Sequence, residues 1–230
     1  MGIASSTVDL FADLVSRQDE AISLPAAALA VARVKYPHLD LRPTLETLRR
    51  FGKDAFSHTR QAVGRRGIER LNQFVFGTLE FRGNREDYYD PRNCFLNDVV
   101  ERRTGIPITL SLVYIELAAH CGISIEGIGF PGHFLVRETK SGALLDPFND
   151  GIELEEEDVR RLLSAQNIDA SARIDEYIEP VTKRQTLLRL VNNLSRHFSQ
   201  EGDAEALGKL QAMTEILLRT EDSGSSLMIQ

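Results

Sequence analysis

Only two cysteines occur in the 230 residues, Cys94 and Cys121. Two cysteines make neither a disulfide framework nor a zinc pattern. No apolar run reaches the roughly twenty residues that a bilayer-spanning helix needs, and no signal-peptide-like segment is evident. No dense basic block occurs; the nearest clusters are pairs such as Arg49-Arg50, Arg65-Arg66 and Arg102-Arg103, and the formal net charge is −7. Nucleic-acid binding rests mainly on basic contacts to phosphate, so that class is set aside. Phosphate loops, dinucleotide fingerprints and GxSxG elbows are missing too. His133 and Asp146 would give a metal two ligands, where catalytic zinc takes three from the protein. Neither a metal nor a cofactor is therefore expected. The expectation is a cytoplasmic protein that crosses no membrane. Its hydrophobic content of 42% and charged content of 27% are ordinary for a globular chain. Its length allows a real core in one or two domains.

The chain is organised around Asn93 to Asn149. Within it, Pro107 to Cys121 reads as one helix with almost no polar face, interrupted only by Thr109, Ser111, Glu116 and His120. A helix that is apolar nearly all round is buried. After Gly122 come three strand-like runs, Ser124–Phe130, His133–Arg137 and Ala143–Asp146. Upstream, residues 1–80 read as a helical region. Ser6 and Ser23 are the first caps, Pro43 opens a long helix broken at Gly64 and Gly67, and apolar residues resume from Ile68 to Leu79. Residues 81–166 form the core and begin with a polar loop carrying Tyr88-Tyr89. Residues 181–220 read as a helical hairpin, with Leu187, Leu190, Val191 and Leu194 facing Leu207, Leu210, Met213 and Leu217. Residues 221–230 read as a frayed tail, and 167–178 show no clear pattern. The fold class is α+β, with a small antiparallel sheet against a buried helix. A lone helix pair cannot bury both its faces, so Leu187, Val191 and Leu194 are expected to pack within the same chain.

His133 and Asp146 are the first site candidates. If the two runs carrying them form a hairpin, a turn near Thr139–Lys140 sets them opposite each other. A turn on Ser141-Gly142 offsets them by about two residues. Either way a hydrogen bond between them is within reach, and an Asp that accepts from one ring nitrogen aims the other. The pair is either a structural bond in a half-buried sheet or an oriented base. Ser111 interrupts an apolar surface; its hydroxyl either bonds back to a carbonyl one turn earlier or points at His133. Asn97, Arg102, Thr109 and Tyr114 are the binding candidates around this centre. Asn97 is a mid-helix Asn of poor propensity, and Arg102 could clamp a carboxylate or pair with Asp98 or Glu101. Asn93 reads as a helix cap and Cys94 as a small buried hydrophobe. Gly127 and Gly129 leave one strand face bare, a gap that close packing or a ligand would fill.

Three motifs, LNDVVERRTGIPITLSLVYIELAAHCGI, GFPGHFLVR and LLDPFNDG, resemble in order and spacing the SirB-type bacterial proteins of the transglutaminase-like core 2 family. The hairpin is similar to a single tetratricopeptide-type unit, so the resemblance covers most of the chain. It implies a papain/transglutaminase-like core: a Cys opening a buried helix, then a His and an Asp on adjacent strands. It assigns His133 and Asp146 to the last two. Counting back along the helix puts Pro107 where the enzymes carry Cys. The resemblance therefore implies a module without its nucleophile, a non-catalytic site for a peptide or protein partner. The alternative is a hydrolase-type enzyme that uses His133 as general base, oriented by Asp146.

Overall fold

Side-chain caps start the first helices. The computed structural model of the protein describes residues 6–60, 62, 64–169 and 173–225. Ser6 opens α1 (Thr7–Val15) with a closed capping box: its hydroxyl accepts from the Asp9 N–H, and the Asp9 carboxylate accepts from the Ser6 N–H. Ser23 opens α2 (Leu24–Ala32), every residue of which is buried. Helix α3 (Arg42–Thr59) stops earlier than the glycines suggested. Arg60 itself takes the left-handed conformation, φ 49°, and its N–H bonds the Phe56 carbonyl. Gly67 accordingly lies inside α4 (Gly64–Asn72), which continues through a π-helical turn over Gln73–Thr78.

The core segment begins with β1 (Arg82–Gly83), which pairs in parallel with β2 (Thr104–Gly105) on the far side of α5 (Leu96–Arg102). The buried helix is α6 (Pro107–His120), with Pro at its first position and Cys121 just beyond its end. Then follow β3 (Ile125–Ile128), β4 (Leu135–Glu138), β5 (Leu144–Asp146), β6 (Ile152–Glu153), α7 (Glu156–Ala165) and β7 (Pro180–Val181). They form a five-stranded sheet of order β6-β5-β4-β3-β7 in which all neighbours are antiparallel. Alternation along the strands splits the core. Val136 and Leu145 face α6 and the main core, while Ile128, Leu135 and Leu144 join Val159 and Leu163 of α7 on the other side.

Two strand expectations are corrected. His133 is not on a strand, because the Pro131-Gly132 turn runs past it and β4 starts at Leu135. The β4–β5 turn centres on Lys140-Ser141, between the two positions expected, and is held by the Glu138 carboxylate, which accepts from the Lys140 and Ser141 N–H groups. Register Val136↔Leu145 and Arg137↔Leu144 then sets Leu135 opposite Asp146, with His133 two residues off. The bare face at Gly127 and Gly129 is closed by protein: a Cβ at Gly127 would lie 2.9 Å from Phe134 Cζ, and one at Gly129 2.8 Å from Val181 Cγ1.

The C-terminal hairpin is α8 (Lys183–Glu201) and α9 (Ala204–Ser225), joined through Gly202 at φ 73°. Leu187, Val191 and Leu194 are fully buried, as are Leu210 and Met213, whereas Leu207 is only half-buried. Their cover is the start of the same chain: α8 packs on α2 and α6, and α9 on α1. Polar ties reinforce the seam. Arg184 donates to the Val15 and Arg17 carbonyls, and Lys183 Nζ to those of Glu20 and Ile22. The expected frayed tail is helical to Ser225, and residues 226–230 lie outside the described residues. Of the patternless stretch 167–178, Ile174–Tyr177 is a 3-10 turn and 170–172 lie outside the described residues.

Candidate functional site

The turn before β4 fixes where His133 sits. Gly132 has φ 65°, the left-handed conformation that favours glycine, and a Cβ there would also displace the Gln166 amide, 2.2 Å away. The His133 N–H closes the turn onto the Phe130 carbonyl at 3.1 Å. From the opposite side Arg189 of α8 donates to the carbonyls of both Phe130 and His133. The turn that carries His133 is therefore held in place by a residue of the C-terminal hairpin.

Asp146 ends β5 and also caps the 3-10 turn Pro147–Asn149, accepting from the Phe148 N–H at 3.0 Å. Its other oxygen accepts from Asn149 Nδ2 at 2.6 Å and from His133 Nε2 at 2.9 Å. Asp146 is 1% exposed. Burial alone would raise its carboxyl, but the hydrogen bond and charge of His133, with Asn149 and the Phe148 N–H, outweigh it and hold the group below the usual carboxylate range. An ionised carboxylate only accepts, so Nε2 of His133 carries the proton and Nδ1 keeps its lone pair in the neutral ring. Nδ1 has no hydrogen-bond partner among the described residues. The ring, with a side chain 14% exposed, meets Phe148 edge-on at 5.9 Å.

His133 lines a groove of about 540 Å³. One wall is the loop Tyr88 to Cys94, the floor includes Ile106, Pro107 and Ile108 at the start of α6, and the opposite wall is one face of α8. The loop is pinned by Asn93, which is fully buried and not a helix cap. Its Nδ2 donates to the Asp87 carbonyl, its Oδ1 accepts from Asn84 Nδ2, and its own carbonyl accepts from Thr109 Oγ1 at 2.7 Å. Tyr88 packs edge-on against Phe148, while Tyr89 is 88% exposed at the lip. Cys94 lines the same groove, but burial, with Asp90 nearby, pushes its thiol up to about 12. A neutral thiol is a poor nucleophile.

The remaining candidates stand elsewhere. Thr109 is fully buried and closes the first turn of α6 by accepting from the Ile106 N–H. Tyr114 is fully buried, stacked on Phe76, with its hydroxyl donating to Asn72 Oδ1 at 2.7 Å. Arg102 is held by Asp90 at 3.2 Å, not by Asp98 or Glu101. Asn97 donates to Asp98 and leaves its Oδ1 buried without a partner. Ser111 makes neither of the bonds proposed for it: its hydroxyl is buried with no partner among the described residues. None of the five lines the groove. What the sequence reading missed is the α8 wall: Arg189, Asn192, Asn193, Arg196, His197 and Gln200. Their spacing of three and four residues marks one helix face, a signal visible in the sequence but with nothing to say which surface it would meet. Among the described residues no group of three or more His, Cys, Asp or Glu is placed to hold a metal, and no helix is long and apolar enough to cross a membrane.

Comparison with known proteins places this geometry. The profile of the transglutaminase-like superfamily matches residues 42–192, which take in α3, the whole sheet and α8 as far as Asn192. A UPF0162 protein of Xylella fastidiosa (strain 9a5c) is 34% identical over 191 residues, covering 80% of this chain and 68% of that protein. A UPF0162 protein of Vibrio cholerae is 32% identical over 146 residues, 61% of this chain and 53% of that one. The F-box only protein 21 of Mus musculus is 42% identical over 84 residues, 36% of this chain and 13% of the mouse protein. No solved structure matches the chain. The α+β core with its antiparallel sheet against α6 agrees with the superfamily match.

Proposed function

Because the chain belongs to the transglutaminase-like superfamily, we propose that its groove binds a peptide or protein segment and that it does so without a thiol nucleophile. The observation that carries this reading is Pro107. It occupies the first position of α6 and lines the groove together with His133. That is the place where the resemblance puts the nucleophilic Cys. Cys94 does not replace it, since burial pushes its thiol far up and keeps it neutral at pH 7. The SirB-type likeness of the three motifs and the tetratricopeptide-type likeness of α8–α9 belong to this reading, with α8 as one wall of a peptide groove. The free thiols of Cys94 and Cys121 suit a reducing cytoplasm.

A second reading has its own support in the unpartnered Nδ1 of His133. With Asp146 fixing the ring, Nδ1 is positioned to take a proton from water as it adds to an activated carbonyl. Such base catalysis is worth about 10²–10⁴-fold. One set of assays separates the two. The full chain is incubated with a fluorescent amine and a glutamine-rich acceptor protein, with a fluorescent iodoacetamide, and with a p-nitrophenyl ester. The binding reading expects no amine incorporation, Cys94 labelling no faster than an unactivated buried thiol, and ester hydrolysis equal in wild type and His133→Ala. Amine incorporation that disappears in His133→Ala sinks it. Ester turnover lost in His133→Ala, with no covalent adduct, establishes the second reading instead.

A further inference from the structure

Resting on the peptide-groove reading, we infer that the occupant is an acidic segment, bound in extended form with a carboxylate side chain on Arg196. The groove is a cationic feature on an acidic chain. The whole protein carries a net charge of −7, yet the guanidinium groups that line the groove are Arg189 and Arg196. Against them stands one carboxylate, Asp90, and it is already shared by Arg92 at 2.7 Å and Arg102 at 3.2 Å. The His197 ring lies 3.2 Å from Glu201. Arg189 is committed to the carbonyls of Phe130 and His133. Arg196 is exposed and has no ion pair or hydrogen bond among the described residues. It is the groove's uncommitted cation, and a fork of guanidinium N–H groups matches a carboxylate bidentately.

The rest of the wall suits a peptide more than a small anion. From Arg189 to Gln200 the helix rises about 16 Å, the span of roughly five extended residues. Asn192, Asn193 and Gln200 line it with amides that have no protein partner among the described residues. Each amide offers a donor and an acceptor, the pair a peptide backbone needs. At the lip, exposed Tyr89 presents a ring to a passing side chain. Arg189 and Arg196 are two helical turns apart, about 10 Å. The acidic residue therefore lies about three extended residues from the peptide unit that faces His133.

The test is fluorescence anisotropy of the full chain with three labelled hexapeptide pools, identical except for one position that is Glu, Gln or Lys. The Glu pool is expected to bind about five- to tenfold tighter than the Gln pool at 50 mM salt, with the gap narrowing at 500 mM. Arg196→Gln is expected to erase the gap while leaving the Gln-pool affinity in place, and Arg196→Glu to shift preference to the Lys pool. Arg196 is exposed, so both variants are expected to melt like the wild type. Equal binding of the Glu and Gln pools by wild type, or a preference that survives in Arg196→Gln, overturns the acidic assignment and leaves the peptide groove standing. Binding of no pool overturns both.

Discussion

Ending the chain at Thr182 is expected to abolish cooperative unfolding. Leu187, Leu190, Val191, Leu194 and Phe198 of α8 and Leu210, Met213 and Leu217 of α9 are each at most 1% exposed. At about 1.5–3 kcal/mol for each large apolar side chain buried, their loss removes roughly 12–24 kcal/mol as an upper bound. That exceeds the 5–15 kcal/mol by which a typical domain is stable. The same cut uncovers α1 and α2, whose Phe11, Val15 and Leu29 are fully buried. It also strips Arg184 and Lys183 from the main-chain carbonyls between Val15 and Ile22. Near-ultraviolet circular dichroism through a urea titration reads the outcome. A truncated chain that melts at the parent temperature would show the hairpin to be an independent arm. Leu194→Ala is the graded version, expected to cost about 2–5 kcal/mol and to lower the urea midpoint without changing the slope.

That dependence explains what was legible in the sequence and what was not. Local chemistry was legible. Ser6 and Ser23 announce α1 and α2 because a hydroxyl satisfies an orphan N–H one turn on. α6 announces itself because a helix with so few polar positions has nowhere to go but inside. The His133–Asp146 pair followed from hairpin spacing and the motifs, and a hydrogen bond of 2.9 Å joins the two. Contacts between distant segments were not legible. Arg189 reaches the His133 turn across 56 residues of chain, and nothing near position 189 names its acceptors. Asn93 has the composition of a helix cap, yet the helix starts at Leu96 and Asn93 instead ties the loop together. Ser111 shows the opposite failure: a polar residue inside α6 suggested a partner, and its hydroxyl has none among the described residues. Spacing told which residues share a face of α8; only the packing of α8 against α2 and α6 told what that face looks at.

Asp146→Ala is expected to cost about 3 kcal/mol, because a buried carboxylate that satisfies three donors disappears and leaves them facing apolar protein. Asp146→Asn keeps the shape and removes the charge, with an expected cost of about 1–3 kcal/mol at pH 7. The pH dependence separates charge from shape. The folded-state carboxyl lies below its ordinary value of about 3.9. Its contribution is therefore complete above that value, and it drains as pH falls through it towards the lower folded-state value. The urea midpoint of wild type is expected to exceed that of Asp146→Asn above pH 5, and the margin to shrink between pH 4 and pH 2.5. A margin unchanged down to pH 2.5 would show that the charge of Asp146 contributes nothing. The same substitution also tests the tautomer. An Asn at 146 meets two donors, His133 Nε2 and Asn149 Nδ2, where one carboxylate oxygen accepted both: its Oδ1 there keeps the tautomer but withdraws the charge that stabilises a protonated ring, whereas its Nδ2 there moves the ring proton to Nδ1. Any His133-dependent ester turnover would then fall far more than the modest change in stability accounts for, whereas peptide affinity set by Arg196 would stay as it was.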